Sequence, residues 1–299
     1  MTTINKKEQT FRQPSTGTII EGIAAGSFIH GLIVLPPSIS SLSVMRKLSE
    51  EGKDEFKAVD KAVTETLEAT GLKKRGISVI KASKENMDGI TKILTECFDK
   101  SIPIKFMPKI IRDFYVKIYK DMLEKGVNAF YSPLHKKVVI PEKKLCLAPF
   151  HEIGHAANHN LSSLCNTLQK TRILSKLVWP IMLIAYFKTQ KAPGQKPKSK
   201  TDKATTFIKN NAGKLVFLTF IPMLIEEAVA SIKGIKFARK TLSPKLAQKV
   251  AKTNALAYTT YLGLAILAPI GLSLGIKVKD SIAKPKKVKI KKSTPAAQQ

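Results

Sequence analysis

The chain has 299 residues, 43% of them apolar and 24% charged, which excludes a disordered low-hydrophobicity polypeptide and a fibrous repeat. Its 51 Lys+Arg against 22 Asp+Glu give a net charge of +29, which excludes an acidic solvating protein and points to a polyanionic neighbour, either nucleic acid or an anionic membrane. Three cysteines (Cys97, Cys146, Cys165) with no CxxC pair exclude a disulfide scaffold or a four-cysteine zinc module, and they are expected as small core residues.

Residues 1–18 form a polar leader. The segment 19–45 is the first membrane candidate, because Gly22–Met45 carries no formally charged residue over a bilayer-spanning length. No small-residue cleavage site follows it, so it reads as a retained anchor.

Residues 46–170 read as a soluble region that ends in the motif helix described below. Val59, Val63 and Leu67 recur at helical spacing between charged residues, and Gly71–Gly76 reads as a basic turn. Ile77–Ile80 predicts a short strand. Residues 102–125 predict a helix with Pro103 and Pro108 early and Gly126 as its stop. Asn128–Tyr131 and Val138–Ile140, around Ser132–His135, predict a β-hairpin.

Residues 171–240 hold two further apolar runs, read as a membrane hairpin that carries a third metal ligand. Ile173–Phe187 is apolar but for Lys176, and Leu215–Ile232 is apolar but for Glu226 and Glu227. Each offers 11 uninterrupted uncharged residues, about 16 Å of helix against a hydrocarbon core of about 30 Å. They cross only if Lys176 snorkels and the glutamates face an interface or a protein-lined cavity; a buried hairpin of a soluble domain is the competing reading. Between them, Lys188–Lys203, with Pro193, Gly194 and Pro197, reads as a flexible loop. Residues 253–276 form the cleanest membrane segment, and residues 277–299 read as a basic disordered tail. At about 1 kcal/mol per Lys or Arg near an anionic leaflet, Lys284–Lys292 reads as a contact for anionic membrane lipids.

Residues 148–299 contain only five acids: Glu152, Asp202, Glu226, Glu227 and Asp280. Three of them sit beside histidines or inside an apolar run, where a bare carboxylate is costly without a partner. Glu152 belongs to His151-Glu152-Ile153-Gly154-His155, an HExxH. On a helix both imidazoles project from one face about 6 Å apart, so two neutral nitrogens can bind one Zn²⁺ while Glu152 reaches water held by the metal. Leu161 stands where one class of such sites carries its third histidine. His159, eight residues after His151, lies about 12 Å along the helix and reads as a supporting or structural residue. The remaining candidates for a third ligand are Glu226 and Glu227.

Glu227-x-x-Ala230-Ser231 paired with the upstream HExxH resembles the gluzincin metallopeptidases of the CAAX-prenyl-protease and heat-shock-membrane-protease type, in the bacterial branch with Ser four residues after the ligand glutamate. The likeness covers about residues 126–240 and includes the approach Asn128–Tyr131, Val138–Ile140, motif helix. It implies His151, His155 and Glu227 as zinc ligands, with Glu226 the fallback, Glu152 as the general base, and Ser231 as a support for the ligands. Tyr131 and His159 are the candidates for stabilising an oxyanion. The implied fold class is α+β, mostly α, a zincin-like metallopeptidase domain with two to four membrane helices. The implied setting is a cell membrane of bacterial type.

Three functions follow. The first is a membrane-bound zinc endopeptidase acting on a peptide or protein substrate, with the Asn128–Ile140 hairpin as the surface that takes an extended chain. The second is a non-catalytic membrane protein with a structural or vestigial zinc site and basic loops that bind lipids or partners. The third, nucleic-acid binding, is disfavoured: the cations are dispersed around apolar runs, aromatics are 7% of residues, and no nucleic-acid motif is present, so no specific nucleic-acid partner is expected.

Overall fold

A computed structural model of the chain describes residues 11–50, 55–99, 109–126, 128–142, 147–192 and 195–287. Its elements in chain order are β1 (Phe11–Arg12), α1 (Thr16–Glu50), α2 (Phe56–Ala69), β2 (Ser78–Ala82), α3 (Met87–Asp99), α4 (Lys109–Glu124), β3 (Phe130–Ser132), β4 (Lys137–Pro141), α5 (Pro149–Leu161), α6 (Ser163–Thr171), a 3-10 turn (Arg172–Leu177), α7 (Val178–Phe187), α8 (Lys200–Asn210), α9 (Ala212–Thr241), α10 (Pro244–Ile282) and β5 (Lys286–Lys287). The architecture is α+β and mostly helical. Two compact units divide it: one takes in residues 1–33, 180–215 and 269–299, the other 34–179 and 216–268.

The larger unit is built on a three-stranded mixed sheet of order β2-β4-β3. The β3–β4 pair is the antiparallel hairpin, with Phe130 opposite Val139. The parallel β2–β4 pair needs a long crossover, which α3 and α4 supply. Strand β4 alternates between two cores, as a period-2 strand covered on both faces must. Val138 and Ile140 pack with Val63, Leu72, Phe150, Ile153 and Val250. Val139 packs with Ile90, Leu94, Leu123 and Phe130. The first core therefore joins the sheet to α2, α5 and α10.

The smaller unit is held by close helix packing and buried polar pairs. Tyr186 of α7 donates its hydroxyl to the Gly26 carbonyl of α1 at 3.2 Å, and a Cβ at Gly26 would overlap the carbonyl of Gly275 in α10. Lys279, 1% exposed, donates to the Lys188 carbonyl at 2.7 Å and pairs with Asp280 at 2.9 Å. Asp280 also pairs with Lys209 at 2.7 Å.

Among the described residues, three helices are long and apolar enough to cross a membrane: Thr16–Val34 within α1, then α9 and α10. Helix α9 reaches 30 residues because the glutamates and the flanking lysines continue it rather than end it. The run Ile173–Phe187, divided between the 3-10 turn and a ten-residue α7 about 15 Å long, is not among these three. Residues 277–282 extend α10, and Lys286–Lys287 pair with Phe11–Arg12, so this stretch of the basic tail is ordered. The loop after Lys188 closes at α8, where Ser199 accepts the Asp202 N–H at 3.1 Å and Asp202 binds Lys188 and Lys191. Cys97 and Cys165 are half-buried thiols rather than core residues, with Cys97 Sγ 3.1 Å from Ser132 Oγ. The leader to residue 10, Pro103 and Pro108, Cys146, Pro193 and Gly194, and the tail from residue 288 lie outside the described residues.

Candidate metal centre

Helix α5 starts with Pro149 at its first turn, where a missing N–H costs nothing, and Glu152 follows in that turn. Its motif face is pressed against α9. A Cβ at Gly154 would overlap the Ala230 carbonyl, and one at Gly234 would overlap the Phe150 carbonyl. Two glycines, one on each helix, thus let the backbones touch and bring Glu226, Glu227 and Ser231 to the histidines.

His151, His155 and Glu227 form a buried group that could hold a metal ion. His151 Nε2 lies 2.9 Å from His155 Nε2 and 3.0 Å from Glu227 Oε2, and His155 Nε2 lies 3.5 Å from the same oxygen. Tetrahedral ligands at about 2.0–2.1 Å from an ion stand about 3.3 Å apart, so the triangle has the size such an ion requires. The outer nitrogens are engaged elsewhere. His155 Nδ1 donates to Glu226 Oε1 at 2.8 Å, and His151 Nδ1 lies 3.1 Å from Ser231 Oγ. Those bonds turn both Nε2 lone pairs inward toward one point, an arrangement that repels itself unless a cation sits between them.

Glu226 and Glu227 are both fully buried, and consecutive helical residues diverge by about 100°. The imidazole of His155 lies between their carboxylates. Arg172 closes the network from the 3-10 turn, with Nη1 on Glu226 Oε2 at 2.8 Å and Nη2 on Glu227 Oε1 at 2.6 Å. Asn158 adds a bond to Glu226 Oε1 at 3.0 Å. Glu227 therefore turns one oxygen to the histidines and the other to Arg172, while Glu226 backs His155 and is not one of the three converging groups. Burial works against charge on His155, but Glu227 and Glu226 outweigh it and hold the imidazole proton up to about 10. The pocket is built to retain positive charge, and a metal held by His155 would take the place of that proton.

Glu152 leaves the ligand face. Its Oε2 accepts the Tyr131 backbone N–H of edge strand β3 at 2.8 Å. Burial raises this carboxyl above the usual range, against the lowering pull of His155 and His151. The Tyr131 hydroxyl is itself engaged, with His159 Nδ1 at 3.2 Å and Asn160 Nδ2 at 3.0 Å. His159 thus braces Tyr131 and α5, and it is the Tyr131 backbone, not its phenol, that meets the motif glutamate.

Glu152, His155 and Glu227 open onto a cavity of about 680 Å³, bordered also by Asn128–Tyr131, Gln169, Lys170, Lys176 and Tyr261. Sequence reasoning missed Arg172, Asn158 and Tyr261. A signal existed for the first: residues 148–299 have 24 lysines and two arginines, Arg172 and Arg239, and a fork across two carboxylates is work for a guanidinium. Comparison with family models, with curated proteins and with solved structures finds no match to this chain.

Proposed function

We propose that the protein is an integral-membrane zinc endopeptidase with a zincin-like catalytic unit. Its ligands are His151, His155 and Glu227, and its general base is Glu152. The observation that carries this reading is the convergence of two Nε2 atoms and one carboxylate oxygen on a point beside a substrate-sized cavity. Two imidazoles and a carboxylate are a donor set suited to Zn²⁺. Structural zinc sites are closed by four protein ligands, whereas catalytic ones keep a position open. Three ligands beside a cavity favour the catalytic reading over the structural or vestigial one.

Zinc, when bound, supplies a Lewis acid for a peptide carbonyl and lowers the pKa of water toward about 7. Glu152 takes the proton of the attacking water on its carboxylate and returns it to the leaving amine. The Tyr131 N–H fixes the angle of that carboxylate, and its elevated affinity for protons suits a group that must accept one and give it back. Strand β3 is the sheet edge beside the cavity, so an extended substrate segment placed along it would lie next to Glu152. Arg172 holds Glu227 by the oxygen it does not offer to the metal, and Ser231 fixes the His151 ring. The three membrane-length helices support a membrane setting, and the lysines of α8 and the α10 end are suited to anionic lipid headgroups.

The test uses detergent-purified protein, its zinc content and its cleavage of denatured casein. Wild type is expected to carry one zinc per chain and to cleave. Glu152→Gln is expected to keep the zinc and lose at least a hundredfold in rate. Full activity in Glu152→Gln, or no zinc in folded wild type, overturns the reading.

A further inference from the structure

The cavity wall formed by α6 and the 3-10 turn carries more positive charge than its neighbours neutralise. Gln169, Lys170, Arg172, Ser175 and Lys176 all border the cavity. Arg172 is spent on Glu226 and Glu227. The side chains of Lys170, which is exposed, and Lys176 make no ion pair or hydrogen bond among the described residues. The other acids at the cavity are already engaged: Glu152 with the Tyr131 N–H, Glu227 with His151 and Arg172. Gln169 adds an independent sign, because its Oε1 is buried with no partner. A buried acceptor left unpaired costs about 1–3 kcal/mol unless something supplies a donor. That oxygen is closed off from solvent as it stands, and a turn of the Gln169 side chain toward the cavity would bring it to the N–H of an entering peptide.

Lys176 stands out from an ordinary solvated lysine. It is half-buried, and burial, together with Arg172 one turn away, pushes its pKa down. An ammonium kept in that position gains from an incoming negative charge far more than an exposed one, since both the desolvation and the repulsion are relieved.

We infer that Lys170 and Lys176, with Gln169 between the peptide and the wall, form a subsite for a carboxylate carried by the substrate within a few residues of the bond cleaved. This rests on the peptidase reading and adds its specificity. The carboxylate has two sources, an Asp or Glu side chain or a free chain terminus, and the test separates them.

Zinc-loaded wild type in detergent is given a proteome-derived peptide library, and cleavage positions are mapped by mass spectrometry. The expected result is a several-fold enrichment of a carboxylate at one fixed offset from the cleaved bond. In the double variant Lys170→Gln/Lys176→Gln the enrichment disappears while zinc stays at one per chain. In Lys200→Gln/Lys203→Gln, which removes two lysines of α8 that do not border the cavity, the enrichment is retained, which separates a subsite from the general basicity of the chain. Binding is then read without turnover: zinc-loaded Glu152→Gln is titrated with the most enriched peptide, fluorescently labelled, in its native form, with the acidic side chain as its amide, and with the C-terminus amidated. A weakening of about tenfold in one of the two amide forms identifies the source of the carboxylate. Cleavage without carboxylate enrichment, an enrichment unchanged in the Lys170→Gln/Lys176→Gln variant, or equal binding of all three peptides overturns the proposal and leaves the peptidase reading intact. No cleavage of any library peptide by protein that holds zinc defeats the peptidase reading and this proposal with it.

Discussion

Gly154 of the motif helix lies so close to Ala230 of α9 that a single added methyl would occupy the Ala230 carbonyl. The obstruction is backbone, which cannot rotate aside, and the same contact sets the distance from His151 and His155 to Glu227. Gly154→Ala is expected to cost about 1–3 kcal/mol of stability by overpacking and to weaken zinc binding in parallel. A control is available in α3, where a Cβ at Gly89 meets nothing within 4 Å. Gly89→Ala should raise stability by up to about 1 kcal/mol through helix propensity. Thermal unfolding and zinc content of both variants decide this; a harmless Gly154→Ala would mean that the two helices are not held by that contact.

The two buried glutamates should separate cleanly by metal retention. Glu227→Ala removes one of the three proposed ligands, and zinc is expected to be lost at ordinary chelator concentrations. Glu226→Gln keeps all three ligands but weakens the acceptor behind His155 Nδ1, so zinc should remain with an affinity lower by about 10–100-fold. Competition against a calibrated chelator measures both. Equal loss in the two variants would contradict the assignment of one as ligand and the other as its support.

Arg172 bridges carboxylates that are themselves wholly buried, so its removal strands two negative charges. Breaking a buried pair costs about 3–5 kcal/mol, and the partial exposure of Arg172 puts the expectation for Arg172→Gln at about 3 kcal/mol. Arg172→Lys should fail nearly as badly, because one ammonium cannot fork across both groups. Adding Glu226→Gln to Arg172→Gln removes one stranded charge and should recover part of the loss. A double-mutant cycle by thermal unfolding reads that coupling, and strict additivity would exclude the bridge as a stabilising element.

How far the sequence could be read depended on whether a feature is local. The β3–β4 hairpin, α5 with its two histidines, and the apolar middle of α10 follow from spacing along a few turns, and each could be placed from residues 128–140, 151–155 and 253–276; the ends of α10, which runs from Pro244 to Ile282, could not. The oxygen that each glutamate offers was not legible, because Glu226 and Glu227 differ only by a rotation of about 100° whose outcome depends on which face α9 turns to Gly154. Arg172 was hidden for a related reason. It stands just before an apolar run, and its partners are 54 and 55 residues away. The division of the run Ile173–Phe187 between a 3-10 turn and α7 was hidden as well, because hydropathy counts apolar residues without seeing how the chain winds or that Lys176 borders a cavity.

The turn of the hairpin is pinned from one side. Ser132, wholly buried, accepts the His135 N–H at 3.3 Å and lies 3.0 Å from His135 Nδ1, while His135 Nε2 meets Glu96 of α3 at 2.9 Å. Ser132 follows Tyr131, whose N–H aims Glu152. Ser132→Ala is expected to cost about 1 kcal/mol by removing its hydrogen bonds to half-buried His135. It should keep zinc at one per chain and lower kcat more than it raises KM. A change confined to stability, with kcat intact, would show that the turn does not control the aim of Glu152.

The cavity lysine gives the pH dependence of selectivity a sign. Burial lowers the pKa of Lys176, and Arg172 lowers it further, so its positive charge is lost on raising the pH before that of an ordinary lysine at about 10.4. The ratio of cleavage rates for an acidic peptide and its amide counterpart should therefore decline with rising pH while lysines in water remain charged. Taking a ratio cancels effects on zinc and on Glu152 that both peptides share. In Lys176→Gln the early decline should vanish, leaving a lower ratio that is flat over the same range. A decline of equal size in wild type and variant would assign it to another group and remove Lys176 from the subsite.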